Sequence, residues 1–278
     1  MRPNIQKVSL TILILMKFAL ITGGSSGIGF EISKYFAKDG YTLLWVSLLE
    51  KELKSAKEAL QKDFPDTSIE TLALDLSQPN AAQHTYDWVN SNQWRVDVLI
   101  NNAGYGTYGF ANDLSFEKEV SMIQLNVLNV FKLTRLFLKD MLAQNAGTII
   151  NISSNTSFQP VPKMAAYAAT KAFVKHYSES LAEEMKALKS KVRIITVCPA
   201  AIKNTKFKDA ARMQKVKTFE GLAATTKEEV AKDVWQGFAK GKTFVASGAR
   251  LRRLMWLNPI IPHSIVQFLL RDELSEKA

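Results

Sequence analysis

Residues that hold metals or form cross-links are scarce in this chain. One cysteine, Cys198, and three histidines stand among 278 residues, so an internal disulfide is impossible and no zinc-ligand spacing exists. No metal centre is expected, and the lone thiol fits a reducing, cytoplasmic setting. Long apolar runs are lacking as well. The stretch "VSLTILILM" at residues 8–16 falls short of the about 20 residues that cross a bilayer. A signal-peptide cleavage site is not expected after it, because the "KFALITGG" that follows is read as a strand and its turn. Residues 1–16 therefore read as an N-terminal extension, with membrane anchoring the less favoured alternative. Finally, the basic stretches "KNTKFKDAARMQKVK" and "ARLRR" have no interleaved aromatic stacking platforms. The formal charge of +10 is thus not read as a sign of nucleic-acid binding.

What the chain does have is alternation. Apolar runs of strand length at 17–22, 42–47, 69–74, 97–101, 147–153, 192–198 and 242–247 take turns with amphipathic stretches such as "EKELKSAKEALQKDF". Several runs are apolar throughout, as in a parallel sheet covered on both faces. The expected fold class is α/β: a doubly wound, Rossmann-type, mostly parallel seven-stranded sheet with helices on both faces and right-handed crossovers. No repeat or Pro/Gly/Ser linker divides the pattern, so residues 17–248 read as one domain. Within it, the basic, weakly patterned residues 200–225 read as a loop-and-helix substrate lid. Residues 249–278 read as a C-terminal helical extension broken at Pro259 and Pro262. That tail is expected to pack on the domain, with a subunit contact or peripheral membrane contact as alternatives.

The first strand runs into "TGGSSGIG", Thr22 to Gly29, and then into a helical pattern. A strand, a glycine-rich turn and a helix in that order make a phosphate site, because the helix N-terminal amides and dipole attract anions. Gly23 permits the tight turn, Gly27 a close approach of backbone to pyrophosphate, and Gly29 the packing of helix on strand. Ser25 and Ser26 add hydroxyl donors. The spacing, G-x-x-x-G-x-G, departs from the common dinucleotide pattern G-x-G-x-x-G.

That departure resembles the short-chain dehydrogenase/reductase family, particularly its classical branch, and further matches follow in order. They are Asp75 and Leu76 in "LALDL", Asn102, Ala103 and Gly104 in "NNAG", Asn126 in "QLNVLNVF", Ser154 in "INISS", Tyr167 and Lys171 in "YAATK", and Pro199 onward in "CPAAIKNT". The resemblance implies a nicotinamide cofactor held by Gly23, Ser25, Ser26, Gly27, Ile28, Gly29, Asp75, Leu76, Asn102, Ala103 and Gly104. At the nicotinamide end it adds Tyr167, Lys171, Pro199, Ala200, Ile202 and Thr205. Ala200 stands where relatives usually have glycine.

Tyr167 and Lys171 are four residues apart on an expected helix and share a face. A neighbouring ammonium favours the phenolate and brings the phenol toward working range, so Tyr167 is expected to protonate the alkoxide that forms as hydride reaches a carbonyl. Ser154 lies thirteen residues before Tyr167, the family separation, and is expected to hold the substrate oxygen. Adjacent Ser153 is the rival candidate. Asn126 completes the family tetrad through a helix-and-water relay to Lys171, which also bonds the nicotinamide ribose. Cys198 reads as a buried small hydrophobe.

No Asp or Glu ends the second strand to bond a ribose 2′-hydroxyl and repel a 2′-phosphate. NADP(H) is therefore favoured over NAD(H), with Ser47 and Lys51 as phosphate contacts, although Leu48 replaces the arginine of many NADP-using relatives. Tyr105, Tyr108, Phe110, Phe158 and Met164 are expected at a hydrophobic pocket mouth. The function expected is an oxidoreductase passing hydride between this cofactor and a carbonyl or alcohol substrate, a lipophilic ketone or aldehyde. The alternative is a catalytically silent cofactor-binding regulatory or scaffold protein on the same fold. A homodimer or homotetramer is expected, paired through the helices of the Asn126 and Tyr167 regions.

Overall fold

The computed structural model describes residues 16–203, 207, 213, 216 and 224–248. Seven parallel strands form one sheet in the order β3-β2-β1-β4-β5-β6-β7. They are β1 (Lys17–Thr22), β2 (Tyr41–Ser47), β3 (Ile69–Ala73), β4 (Val96–Asn101), β5 (Thr148–Ile152), β6 (Arg193–Pro199) and β7 (Phe244–Ser247). The helices are α1 (Gly27–Lys38), α2 (Glu50–Asp63), α3 (Ala81–Ser91), α4 (Phe116–Ile123), α5 (Val130–Gln144), α6 (Ala165–Ala187) and α7 (Lys227–Ala239), with a π-helical turn, Gln124–Asn129, joining α4 to α5. This is the doubly wound Rossmann-type domain. The last strand starts two residues later than its apolar pattern. Gly241 turns at φ 66° and the Lys242 N–H is donated to the Gly237 carbonyl at 2.9 Å, so the C-terminal cap of α7 holds Lys242 out of the sheet.

Successive strand residues point to opposite faces, and the two cores sort accordingly. Ala19, Ile21, Leu43, Trp45, Val98 and Ile100 face Ile32 and Phe36 of α1, Leu53 and Leu60 of α2, and Val230 and Val234 of α7. Phe18, Leu20, Leu44, Val46, Leu99 and Ile149 face Val89 of α3, Leu133 and Phe137 of α5, and Leu181 and Met185 of α6. Each buried Val, Leu, Ile, Phe or Met among them contributes about 1.5–3 kcal/mol, and together they make the strand ends rigid points for the loops. β2 is buried along its whole length, whereas the edge strand β3 alternates. No helix among the described residues is long and apolar enough to cross a membrane.

The strand order reverses between β1 and β4, so the connections after these two neighbours leave to opposite faces and open a crevice at their carboxyl ends. The site lies there.

Candidate active site

The glycine turn after β1 is made by two left-handed residues, Gly23 at φ 68° and Gly27 at φ 57°. A side chain at Gly27 would meet nothing within 4 Å, because that side of the residue faces the open cleft. A Cβ at Gly29 would run into the Gly23 carbonyl and the Asn102 side chain, and one at Gly24 into the Trp45 ring. Gly24 is thus a third packing glycine, one that spacing alone did not single out. Trp45 is pinned beneath it by donating its indole N–H to Ser33 Oγ at 2.9 Å. The signal for this was present in β2, as a large aromatic opposite the loop.

Asn102 ties the two strand ends together. Its backbone N–H is donated to Thr22 Oγ1 at 2.9 Å, and its side-chain amide to the Thr22 carbonyl at 2.9 Å and the Gly23 carbonyl at 3.3 Å. Ala103 N–H shares the same Thr22 hydroxyl at 3.0 Å. Gly104 follows with no room for a side chain, since a Cβ would stand 2.8 Å from Asn126 Oδ1.

Asn126 sits in the π-helical turn, fully buried. It brackets the loop by donating to the Tyr105 carbonyl at 2.9 Å and accepting from its N–H at 3.3 Å; it also donates to Thr170 Oγ1 at 3.2 Å. It lies behind the cleft wall and does not line it.

A cavity of about 560 Å³ runs along this crevice. Gly23, Ser25, Ser26, Gly27, Ile28, Ser47, Asp75, Leu76, Asn102, Ala103, Gly104, Ser154, Tyr167, Lys171, Pro199, Ala200 and Ile202 all line it. Gly29 packs beneath the turn, and Thr205 lies outside the described residues. So does most of the segment expected as a lid, together with the terminal extensions. Lys51, expected beside a 2′-phosphate, is exposed and absent from the wall; Glu52 takes that place with Leu48 and Ser47. Successive helix residues point about 100° apart, and in the first turn of α2 it is Glu52, one residue after Lys51, that faces the cleft.

Asp75 lines the cleft while its carboxylate accepts from Ser77 N–H at 2.9 Å, Ser77 Oγ at 2.7 Å and Gln78 Nε2 at 2.9 Å. Those bonds, that of Gln78 foremost, hold its carboxyl below the usual range. Of the residues expected at the mouth, Tyr105 and Met164 line the cavity. Tyr108 packs on the apolar cluster behind them, and Phe110 is exposed. Phe158 turns away, packing edge-on against Phe244. Ser121, Gln159, Phe207 and Met213 also line the cavity, and sequence spacing carried no signal for them.

At the far end, α6 presents Tyr167 and Lys171 on one face, both buried. Lys171 Nζ donates to the Ile152 carbonyl at 3.0 Å and lies 5.9 Å from the Tyr167 ring centroid. Burial pushes the phenol up to about 12, against a smaller lowering by the hydrogen bond with Ser154. It pushes the ammonium down to about 8, against a smaller opposing effect of Cys198. Desolvation therefore outweighs the expected stabilisation of a phenolate by the neighbouring ammonium, and Tyr167 stands as a protonated acid. Ser154 is the serine paired with it. Ser153 is committed elsewhere, donating to the Lys171 carbonyl at 2.7 Å. Burial also lifts the Cys198 thiol to about 11, which leaves no thiolate at neutral pH.

The short-chain dehydrogenase family model matches residues 17–215, a span that takes in the turn, the clasp and the Tyr167–Lys171 face. The chain belongs to the short-chain dehydrogenase family. Among curated relatives, a very-long-chain 3-oxoacyl-CoA reductase of Rattus norvegicus is 33% identical over 180 residues, 62% of this chain and 56% of that one. The 11-beta-hydroxysteroid dehydrogenase-like 4A protein of Arabidopsis thaliana is 30% identical over 252 residues, 90% of this chain and 82% of that one. A solved short-chain dehydrogenase from Sphingobium yanoikuyae, in complex with NADPH, superposes with a TM-score of 0.77 at 25% identity, covering 95% of this chain and 98% of that one. This short-chain dehydrogenase therefore shares its frame with a protein that holds NADPH, and spans little more than half of the reductase it matches in sequence.

The Asn102 clasp carries the geometry of the crevice. Replacing Asn102 with alanine should lower stability by about 1–3 kcal/mol, because the Thr22 and Gly23 carbonyls lose their donor. Urea unfolding checks this, and an unchanged midpoint contradicts it.

Proposed function

We propose that this short-chain dehydrogenase is a nicotinamide-dependent carbonyl reductase, with NADP(H) favoured over NAD(H) and Tyr167 as general acid. The observation that carries the reading is the pairing of a buried, protonated Tyr167 with Ser154 and Lys171 at one end of a cleft whose other end is the glycine turn. The residues fit a dinucleotide: the left-handed Gly27 is open on the side a Cβ would fill, and the N-terminal amides of α1 present a partial positive charge there. Ser25, Ser26 and that turn would hold the pyrophosphate. Ser47 and Asp75 would border the adenosine, and Lys171 the nicotinamide ribose.

The cofactor, when bound, supplies the hydride. The protein's share is position and proton. Ser154 and Tyr167 hold the carbonyl oxygen between two hydroxyls, and Tyr167 gives its proton to the oxygen as negative charge develops on it. Lys171 supports the departing proton's site with its positive charge, and Asn126 keeps the Gly104 loop from shifting against it. The preference for NADP(H) rests on Ser47 standing where a carboxylate would exclude a 2′-phosphate. Glu52 on the same wall makes that preference shallow. Exposed Phe116, Val120, Ile123, Phe131 and Phe173 support pairing of two copies through α4, α5 and α6; sedimentation equilibrium showing only monomer would remove that part.

Tyr167→Phe should slow carbonyl reduction by about 10²- to 10⁴-fold with NADPH affinity retained, and Ser154→Ala should act in the same direction. The pH dependence follows from the two buried groups. The phenol, with its pKa about 12, stays protonated through the working range, and the ammonium is present below about 8 and lost above it. Reduction should be flat near neutral pH and decline as pH rises through about 8, with the decline moved upward in Lys171→Arg, whose charge persists. Stopped assays of cofactor oxidation across pH test both; full turnover in Tyr167→Phe overturns the proposal.

A further inference from the structure

The apolar end of the cleft has an aromatic side chain that the proposed chemistry does not use. Phe207 packs on the Tyr167 ring, with centroids 5.2 Å apart and planes at 54°. It reaches that position only because residue 106 is glycine. A Cβ at Gly106 would stand 2.6 Å from Phe207 Cζ, 2.9 Å from Cε2 and 3.1 Å from Tyr167 Cδ2. The φ of Gly106 is not in the left-handed region, so no backbone demand explains the glycine. What explains it is the close approach of the Phe207 ring. Around the same tyrosine the wall continues with Val161, Met164 and Met213, which are buried apolar side chains, two of them adaptable methionines.

Building on the carbonyl-reductase reading, we infer that Phe207, admitted by Gly106, is a specificity-determining residue that fills one flank of the carbonyl site. The preferred substrates are then aldehydes and ketones with one small substituent and one long apolar arm. The carbonyl oxygen must lie within hydrogen-bond reach of Tyr167 and Ser154. With Phe207 and Gly106 against the Tyr167 ring, the substituent on that side meets an aromatic face at contact distance and has to be a hydrogen or a methyl. The other substituent runs along Val161, Met164 and Met213. Size discrimination by an apolar wall of this kind amounts to about 10- to 200-fold.

Two isomeric ketones of one formula isolate the flank from total hydrophobicity: methyl heptyl ketone and dibutyl ketone. With NADPH, the wild-type protein should favour methyl heptyl ketone in kcat/KM by about tenfold or more. Phe207→Ala should bring the ratio close to unity by raising the dibutyl value, with NADPH affinity unchanged. A second readout needs no turnover. Phe207→Ala takes the apolar ring off Tyr167, so the Tyr167 phenolate, read as alkaline difference absorbance against Tyr167→Phe, should appear at lower pH than in the wild type.

A wild-type protein that favours dibutyl ketone, or a Phe207→Ala ratio unchanged from wild type, overturns the inference. An unmoved phenolate in Phe207→Ala likewise overturns the contact on which it stands. If the wild-type protein reduces no aldehyde or ketone at all while the phenolate moves as expected, the carbonyl-reductase reading is what has failed, and the substrate inference falls with it.

Discussion

Everything at the site depends on how β1 and β4 are held beside each other where the strand order reverses. The sheet hydrogen bonds stop at Ile21 and Ile100, and beyond them the two chains must part to opposite faces. The Thr22 hydroxyl accepts two N–H groups from the far loop, and the Asn102 amide returns two bonds to the near one. With the crevice floor set by this exchange, the glycine turn can leave its backbone facing open space. The absence of side chains at Gly23, Gly24 and Gly29 serves packing around the turn, and only Gly27 offers an unobstructed face. The geometry of the proposed cofactor site is thus bound to the fold through four hydrogen bonds.

The other end of the cleft is governed by desolvation. α6 brings a phenol and an ammonium together in a buried layer, and burial acts on them in opposite directions, raising one proton affinity and lowering the other. The tyrosine is thereby kept protonated, and the lysine is left as a cation that is easily neutralised. The Ile152 carbonyl at the end of β5 accepts a hydrogen bond from the Lys171 ammonium, so the charge is positioned by the sheet itself. Asn126 contributes from the π-helical turn by holding the Tyr105 backbone on both sides, which places Gly104 and the loop that borders the cleft.

The sheet was legible in the sequence because a parallel sheet covered on both faces demands apolar runs, and those runs mark its seven strands closely. The late start of β7 escaped because it depends on a helix cap competing for the Lys242 N–H. At the site, residues anchored to strand ends and to the regular face of α6 were legible, since spacing along a regular element translates directly into position. The wall formed by Ser121, Gln159, Phe207 and Met213 was not. These residues meet across loops and helix faces far apart in sequence, and no period relates them. The exchange of Lys51 for Glu52 has a simpler origin: nearness to Ser47 in sequence does not tell which side of the first turn of α2 faces the cleft, and Glu52 is on that side. Charge of the neighbouring group was likewise a poorer guide to Tyr167 than the depth at which α6 is buried.

The central claim is that the clasped crevice is a dinucleotide site. Parallel titrations of the protein with NADPH and NADH, followed by tryptophan fluorescence, with Gly27→Asp alongside, test it most directly. The account predicts saturable binding of NADPH, weaker or comparable binding of NADH, and loss of both in Gly27→Asp, whose carboxylate would occupy the open face of the turn. Absence of binding by either cofactor in the wild-type protein, or binding undiminished in Gly27→Asp, would contradict it.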